Sequence, residues 1–339
     1  MKFLNYDNRR EEKIMYKAND NRYDNMIYRR CGKSGLKLSA VSLGLWKNFG
    51  ANDDFANMEK MVRTAFDLGI IHFDLANNYG DPDIGSAEEN FGKILDNGLR
   101  AYRDELCIST KAGYDMWPGP YGERNGSRKY LIASLDQSLK RMNLDYVDIF
   151  YHHIADPNTS IEETAVALND IVRQGKALYV GISNYNKFQT AEIIKIFEEL
   201  HTPFVVNQPS WSLLNRWVEE DGLDSFCEEH GIGLAVFSPL SNGLLTNKYL
   251  GGPVSGARVP ADTVDAAMVE RLNKLNAIAS SRGQSLSQMA LSWILFNSSV
   301  ATVLIGASRP EQIEENVKCI DNLDFTYEEI KQIDDILKK

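Results

Sequence analysis

Residues 70–80 read IIHFDLANNYG, a short β-branched apolar run that ends in Asp74 and passes into a polar loop. Runs of the same strand-like type recur along the chain, at 41–43, 105–110, 147–153, 176–182, 204–207, 233–237 and 302–305. Amphipathic stretches of helical period lie between them, for example at 128–142, 160–174 and 187–200. About eight strands alternating with about eight helices predict parallel βαβ units. A closed barrel and a doubly wound open sheet share this local pattern, so alternation alone leaves the two folds open.

The composition is typical of a globular protein with a large core and no nucleic-acid or membrane partner. The chain has 339 residues, of which 43% are hydrophobic, and a formal net charge of -10. The acidic balance disfavours general binding to nucleic acid or anionic lipid. No apolar run approaches the ~18 residues that a membrane span needs, and the polar start lacks the apolar core of a signal peptide. We therefore expect a soluble, cytoplasmic protein.

The cysteines and histidines give no sign of disulfides or of a metal site. Cys31, Cys107, Cys227 and Cys319 are far apart and form no CxxC pair, which favours four reduced thiols. The adjacent pair at 152–153 has no cysteine or carboxylate at the spacing of a metal site, so we expect no metal.

Four side chains of complementary chemistry follow consecutive predicted strands. They are Asp74, Tyr79 in the loop after it, Lys111 and His153. Tyrosine can donate a proton, although its ordinary pKa is about 10. A nearby lysine would lower that pKa, and a buried lysine needs an anion such as aspartate to stay charged. A neutral histidine can orient a carbonyl oxygen, but a hydride must come from a cofactor.

Asp74, Tyr79, Lys111 and His153 resemble the catalytic tetrad of the aldo-keto reductases in type, order and strand position. The resemblance runs from about Tyr28 to about residue 338. It implies a single (β/α)₈ TIM barrel with an N-terminal β-hairpin and long loops on the catalytic face. It thereby favours the barrel over the open sheet, and it implies reduction of aldehydes, α-oxoaldehydes or reactive ketones to alcohols.

Several segments resemble the family's nucleotide site, which implies NADPH/NADP+ as the cofactor. They lie after the later strands, in the loop over the pyrophosphate and around the helix that follows the last strand. The residues assigned in this way are Trp46, Ser183, Asn184, Gln208, Trp211, Ser238, Leu240, Gly243, Leu245, Lys248, Arg258, Gly306, Ser308, Arg309, Gln312, Glu315 and Asn316. Trp211 departs from the family, which usually has tyrosine there, but tryptophan can also stack on nicotinamide. Arg309 alternatively reads as a solvated surface charge.

Trp46, Phe49 and Trp117 are the predicted walls of the substrate pocket. Plain core packing is the alternative for Trp46 and Phe49, and a disordered loop is the alternative for Trp117. Trp117 belongs to one of two long segments, 113–127 and 247–265, whose length is typical of functional or disordered loops.

Within the family, residues 45–50 and 207–211 resemble the bacterial branch that reduces glyceraldehyde 3-phosphate and methylglyoxal. That branch lies near the β subunits of voltage-gated potassium channels, so a channel-associated subunit that acts mainly by partner binding is the alternative. The channel branch carries asparagine where this chain has His153, which favours the enzyme. Related branches assemble as tetramers or octamers, so the resemblance also implies a homo-oligomer.

Two further expectations concern boundaries and faces. Residues 1–27 read as a polar extension before a barrel at 28–339, and the charged segment 1–14 suggests Met15 as the natural start. On the strand at 147–153, alternation places His153 with Val147, Ile149 and Tyr151 toward the barrel interior. His152 should then face the helix layer.

Overall fold

The computed structural model describes residues 16–337, which form a closed barrel of parallel strands surrounded by helices. The strands are β1 (Tyr28–Arg30), β2 (Lys37–Ser39), β3 (Val41–Gly44), β4 (His72–Asp74), β5 (Cys107–Ala112), β6 (Val147–His152), β7 (Ala177–Ser183), β8 (Phe204–Gln208), β9 (Gly233–Val236) and β10 (Val300–Ile305). Within the described range, β3 to β10 form the barrel in sequence order, and β1 and β2 form a separate antiparallel hairpin.

The helices connect successive barrel strands and cover the outside of the barrel. They are α1 (Phe55–Asp67), α2 (Ser86–Asp96), α3 (Arg128–Met142), α4 (Ile161–Arg173), α5 (Lys187–Leu200), α6 (Trp217–Asp221), α7 (Leu223–His230), α8 (Ala266–Ser281), α9 (Leu286–Leu295), α10 (Pro310–Val317) and α11 (Tyr327–Leu337). No helix within residues 16–337 combines the length and apolar character that crossing a bilayer requires.

Local sequence explains where several of these helices begin. The Ser127 hydroxyl accepts the Tyr130 amide at the start of α3, and Asn186 and Gln189 form a capping box at the start of α5. Each such cap stabilises its helix by about 1 kcal/mol. The caps fix where each helix starts after its strand, and so they also fix the length of the loops at the mouth.

Closure of the barrel depends on pairing between the first and last barrel strands. β10 pairs with β3 in parallel, with Val303 opposite Val41 and Ile305 opposite Leu43. The closed topology confirms the predicted barrel and excludes the doubly wound sheet. On β6, Ile149 and Tyr151 lie with the interior cluster while Phe150 packs with the helix layer, as alternation along a strand predicts.

The hairpin β1–β2 closes the amino-terminal end of the barrel. Cys31 and Leu38 are fully buried in the interior cluster. Gly32 has φ +55°, and a Cβ there would lie 1.9 Å from the carbonyl oxygen of Gly231, so glycine is required at this contact. The Lys33 amide donates to the same Gly231 oxygen at 2.9 Å, and the Arg29 guanidinium donates to the carbonyl of Leu295 at the end of α9 at 2.5 Å.

Part of the predicted extension packs against the barrel. The Tyr16 hydroxyl donates to Asp67 of α1 at 2.8 Å, and the Ala18 amide donates to the Tyr102 hydroxyl at 3.0 Å. Ala18 and Met26 are buried in the main core. Residues 16–27 therefore pack as part of the barrel unit, while the proposed start at Met15 and the segment before it lie outside the described residues.

Several strand boundaries differ from the prediction by one or two residues, as on β5 and β6. The third predicted strand, 105–110, is displaced because a 3₁₀ helix occupies Leu99–Glu105, and β5 begins only at Cys107 and includes Lys111. The strand predicted at 147–153 ends one residue earlier, at His152, so that His153 begins the following loop.

The two long segments are irregular but ordered by their own hydrogen bonds. In 113–127 the Met116 amide donates to the Gly122 oxygen at 2.7 Å. Segment 247–265 contains the short 3₁₀ helices Asn247–Tyr249 and Ala261–Thr263.

Candidate active site

The carboxyl ends of β4, β5 and β6 bring four predicted site residues together at the barrel mouth. Asp74 ends β4, Lys111 is the second-last residue of β5, and His153 directly follows β6. Tyr79 lies in the loop after β4, with its ring centroid 5.9 Å from that of His153. Asp74 and Lys111 are inward-facing and buried.

Lys111 is the centre of this group. Its ammonium donates to Asp74 Oδ2 at 2.5 Å, to the Leu75 carbonyl at 2.6 Å and to the Tyr79 hydroxyl at 3.3 Å. Burial lowers the pKa of Lys111, and the Asp74 carboxylate opposes that shift. A buried cation with one carboxylate partner is held charged by that partner, and removing either member typically costs 3–5 kcal/mol, as an order of magnitude.

The Asp74 carboxylate is held by three donors from two strands, β5 and β8. Besides Lys111, the Ser109 hydroxyl of β5 donates to Asp74 Oδ1 at 2.7 Å, and the Gln208 amide of β8 donates to the same oxygen at 3.1 Å. Charge-assisted hydrogen bonds of this kind fix both the position and the ionised state of a carboxylate.

The pKa of Tyr79 differs from the prediction that Lys111 would lower it. Burial raises the pKa of Tyr79 well above its ordinary value, and the negative charge of Asp74 and the neighbouring Tyr114 raise it further. The predicted lowering of this pKa by Lys111 is not found, because burial and the two neighbouring groups all act in the opposite direction. Tyr79 is therefore a protonated donor at neutral pH.

His153 is neutral and lies against two tyrosine rings. Burial lowers its pKa well below 6.5, and the Lys111 cation lowers it further. The Tyr114 ring meets the imidazole edge-on, with centroids 4.7 Å apart. Among the described residues its Nδ1 has no hydrogen-bond partner. A neutral imidazole beside a tyrosine hydroxyl can donate to a carbonyl oxygen.

His152 faces the helix layer and not the barrel interior, as strand alternation predicted. Its Nδ1 lies 2.7 Å from the Tyr185 hydroxyl, and the side chain is fully buried toward the helix layer. Burial lowers its pKa to about 4.

The structure separates the three predicted pocket walls. Trp46 is 46% exposed, with its ring centroid 6.3 Å from that of Tyr79. Trp117 is partly buried and packs on Tyr130, with ring centroids 5.4 Å apart. Phe49 is fully buried in the main core, which corresponds to the plain-core alternative and not to a pocket wall.

Ser183, Asn184 and Gln208, which the resemblance assigns to the cofactor site, lie at or just after the ends of β7 and β8, around the mouth. The Ser183 hydroxyl donates to the Gln208 carbonyl at 2.9 Å, and the Asn184 amide donates to the His153 carbonyl at 3.0 Å. Trp211 is 2% exposed, and its indole N–H donates to Glu219 at 3.0 Å. These bonds tie the ends of the strands to one another and to His153.

The predicted pyrophosphate loop follows β9. Ser238 has φ 54°, Gly243 has φ +94°, and a Cβ at Gly243 would meet nothing within 4 Å. Leu240 is partly buried against the core, whereas Leu245 is fully buried, so the Leu245 side chain belongs to the core. The guanidinium of Arg258 lies 4.7 Å from the centroid of the Trp46 ring.

The predicted adenosine-phosphate residues lie around the start of α10. A Cβ at Gly306 would meet nothing within 4 Å, and the Ser308 amide donates to the Gln312 side chain at 2.8 Å. Arg309 is the N-cap of α10, is 62% exposed and lies 3.7 Å from Glu311. The remaining assigned positions are exposed Lys248 next to Tyr249, Glu315 on α10 and buried Asn316 on α10. Open glycines, a helix N-terminus and an accessible guanidinium form a donor set that fits a phosphorylated nucleotide.

Sequence reasoning missed Ser109 and Tyr114. Ser109 lies two residues before Lys111 on the same strand face, so strand alternation carried the signal for it. Tyr114 approaches His153 only because its carbonyl accepts the Tyr130 hydroxyl from α3. No local pattern predicts that contact.

Within residues 16–337, no three histidine, cysteine or acidic side chains come together as metal ligands. All four cysteines, which fall inside that range, are buried and unpaired.

The barrel, the polar cluster at its mouth and the sequence together define the class. The Aldo/keto reductase family model matches residues 40–338, and the chain belongs to that family. It is an oxidoreductase of the kind that acts on small carbonyl compounds with a nicotinamide cofactor.

Individual proteins are similar to the chain over almost its whole length. The chain is 54% identical over 331 residues to the L-glyceraldehyde 3-phosphate reductase of Escherichia coli (strain K12), covering 95% of each chain. It is 36% identical over 327 residues to a putative voltage-gated potassium channel subunit beta of Schizosaccharomyces pombe, covering 92% of this chain and 94% of the relative. Among solved structures, the holo form of an aldo-keto reductase from Bacillus halodurans is similar with a TM-score of 0.74 and 26% identity, covering 92% of this chain and 96% of that one.

Proposed function

We propose that this protein uses NADPH to reduce small aldehydes, α-oxoaldehydes or reactive ketones to alcohols, with Tyr79 as the proton donor. The observation that carries the proposal is the contact of one buried ammonium, Lys111, with both Asp74 and the Tyr79 hydroxyl. The 54% identity to an L-glyceraldehyde 3-phosphate reductase supports a short-chain, phosphorylated aldehyde as the first substrate to test.

The residues of the site divide the work at the carbonyl group. A bound reduced nicotinamide supplies the hydride to the carbonyl carbon. Tyr79 gives its hydroxyl proton to the carbonyl oxygen as negative charge develops there. Lys111, 3.3 Å from that hydroxyl, stabilises the phenolate that remains until solvent returns a proton. Neutral His153 donates a ring N–H to the same oxygen and holds it toward Tyr79.

NADPH is proposed over NADH from the donor set at α10. An exposed Arg309 at the N-cap of a helix matches the extra phosphate of NADPH, because both the guanidinium and the free helix amides favour an anion.

The test is a panel of carbonyl substrates assayed with each nicotinamide cofactor. L-glyceraldehyde 3-phosphate, methylglyoxal and a bulky ketone cover the proposed range. Turnover of the two small aldehydes with NADPH is expected. No NADPH oxidation with any of them would contradict the proposal and would favour the second candidate, a channel-associated β-type subunit.

The second candidate rests on the 36% identity to the putative channel subunit, and His153 at the mouth favours the reductase over it.

We further propose a cytoplasmic homo-oligomer, a tetramer or octamer, as the resemblance implies. Sedimentation velocity of the purified protein measures the assembly directly, and a monomer would contradict it.

A further inference from the structure

A continuous string of polar side chains lies inside the barrel beneath Asp74, and His72 is its centre. His72 is fully buried and faces inward from β4. Its Nδ1 lies 2.9 Å from the Ser42 hydroxyl of β3, and its Nε2 lies 2.9 Å from the Ser109 hydroxyl of β5. Ser42 in turn lies 2.6 Å from the Thr302 hydroxyl of β10, and Ser109 lies 2.7 Å from Asp74 Oδ1.

The hydrogen-bonding capacity of each group sets the direction of every proton in this string. An ionised carboxylate only accepts, so Ser109 donates its proton to Asp74. The Ser109 oxygen then accepts from His72 Nε2–H. A neutral imidazole has one N–H, so Nδ1 must accept, and Ser42 donates to it. Ser42 receives its own hydrogen bond from Thr302, whose competing contact with the Ala40 carbonyl is longer, at 3.4 Å.

The surroundings of His72 keep it neutral. Burial lowers its pKa to about 4, with Asp74 opposing and Lys111 reinforcing the shift. Cys107 of β5 pairs with His72 of β4, and Tyr151 faces the interior from β6. Burial raises the pKa of both side chains well above their ordinary values. Among the described residues that face this part of the interior, Asp74 and Lys111 therefore carry the charges at neutral pH.

We propose that His72 is a positioning residue for the reduction. Its Nε2–H holds the Ser109 hydroxyl pointed at Asp74, which keeps the Asp74 carboxylate directed at Lys111, and through Lys111 it acts on Tyr79. His72 has no contact with the reacting atoms. The inference rests on the proposed function for its kinetic consequences, but the direction of the string is a property of the folded chain alone.

The alternative is that His72 only fills space, and the protonation state of its ring separates the two. Nitrogen NMR of the ¹⁵N-histidine-labelled protein reports which ring nitrogen carries the hydrogen. The string requires the neutral Nε2–H form from pH 5 upward. An Nδ1–H form, or a charged ring at pH 6, would overturn the proposal without reference to any activity.

Kinetics test whether the string acts on the reaction. His72→Leu removes both hydrogen bonds, whereas His72→Gln can still donate an amide N–H toward Ser109. With one charge-directed bond lost, kcat/KM of His72→Leu should fall by about tenfold. The loss should fall on kcat and leave KM for the aldehyde nearly unchanged, because His72 orients Asp74 and does not touch the substrate. His72→Gln should keep most of the wild-type kcat.

Three comparisons protect this test. His152→Leu removes a buried imidazole from the outer face of the same barrel, so it should lower the melting temperature without lowering kcat. Ser109→Ala should lower kcat as His72→Leu does, which keeps the test available when His72→Leu does not fold. In the Ser109→Ala background, His72→Leu should lower kcat no further. An unchanged kcat in Ser109→Ala, or equal losses in the Leu and Gln variants of His72, would overturn the proposal. Wild-type turnover in the same assay reports separately on the proposed function.

Discussion

In the proposed mechanism Tyr79 must release a proton although several features of its surroundings oppose its ionisation. Burial, Asp74 and Tyr114 all raise its pKa, so the free hydroxyl holds its proton across the physiological range. Its usefulness depends on Lys111, whose ammonium is already at 3.3 Å when the phenolate forms. Stabilisation that matters only after proton transfer favours the transition state over the ground state.

Tyr79→Phe should abolish most reduction while leaving cofactor affinity nearly unchanged. The substitution removes the hydroxyl but keeps the ring that packs near Trp46 and His153. Loss of a general acid should lower kcat by roughly 10²–10⁴. Steady-state kinetics together with fluorescence titration of NADPH measure both quantities, and near-normal turnover would remove Tyr79 from its proposed role.

The two adjacent histidines should respond oppositely to truncation. His153→Ala should lower kcat/KM for aldehydes by about 10²-fold or more, since an oriented donor is lost from a water-poor site. His152→Ala should act mainly on stability, because its ring is bonded to Tyr185 away from the mouth. Kinetics and thermal unfolding of both variants provide the measurement. The reverse pattern would mean that His152, and not His153, faces the barrel mouth.

Single residues differ in how far sequence predicts their position. Asp74, Lys111 and His153 were predictable because each stands at the end of a strand, and strand ends of a parallel barrel converge on one face. Sequence left open whether Phe49 is a pocket wall or core, and the structure links its loop to α2, where the Asn90 amide donates to the Phe49 carbonyl at 3.0 Å. A contact between a loop and a helix so distant in sequence leaves no local pattern.

At the scale of elements, the proposed preference for NADPH over NADH rests on the start of α10. Arg309→Ala should weaken NADPH binding by about 10–100-fold, the expected effect of one charge-assisted hydrogen bond. NADH affinity should change little, because NADH lacks the phosphate. Lys331→Ala, which removes an exposed cation from α11, is the matched control. Equal losses for both cofactors in Arg309→Ala would show that Arg309 does not read the phosphate.

The sequence predicted the presence of strands and helices more accurately than it predicted where each one begins and ends. β7 and α3 lie within a residue of their predicted ranges, because alternation and an N-cap at Ser127 mark them locally. β5 begins later than predicted because residues Leu99–Glu105 form a 3₁₀ helix. That segment is held in part by Arg103, whose side chain donates to the Tyr146 carbonyl near β6.

For the whole molecule, the closing pair β3 and β10 lay beyond local reasoning. Their registration joins Val41 to Val303 across almost the entire chain. A barrel and a doubly wound sheet differ in strand order and in this closing pair, neither of which local periodicity reports, so family resemblance carried the prediction.

Acid should destabilise the whole fold through its buried histidines. His72 and His152 have pKa values lowered to about 4 by burial, and that of His153 is also lowered. The unfolded chain binds these protons near pH 6.5, so between about pH 6.5 and 4 it holds more protons than the native state. The free energy of unfolding should therefore fall with decreasing pH, by up to ~1.4 kcal/mol per pH unit for each histidine.

Urea unfolding at a series of pH values tests this dependence. His152→Gln, which lies outside the proposed site, should reduce the slope by the contribution of one proton. A stability that does not change between pH 7 and pH 5 would contradict the neutral, buried state of these rings.

The hairpin that seals the base of the barrel also constrains how the protein is made. Its anchors are Gly231, just before β9, and Leu295, at the end of α9. A ribosome releases β1 and β2 long before it has produced either anchor. The hairpin must therefore wait, unpaired with its final neighbours, while β3 to β8 are synthesised. Completion of the barrel base consequently follows synthesis of α9, although the hairpin itself precedes every strand of the barrel.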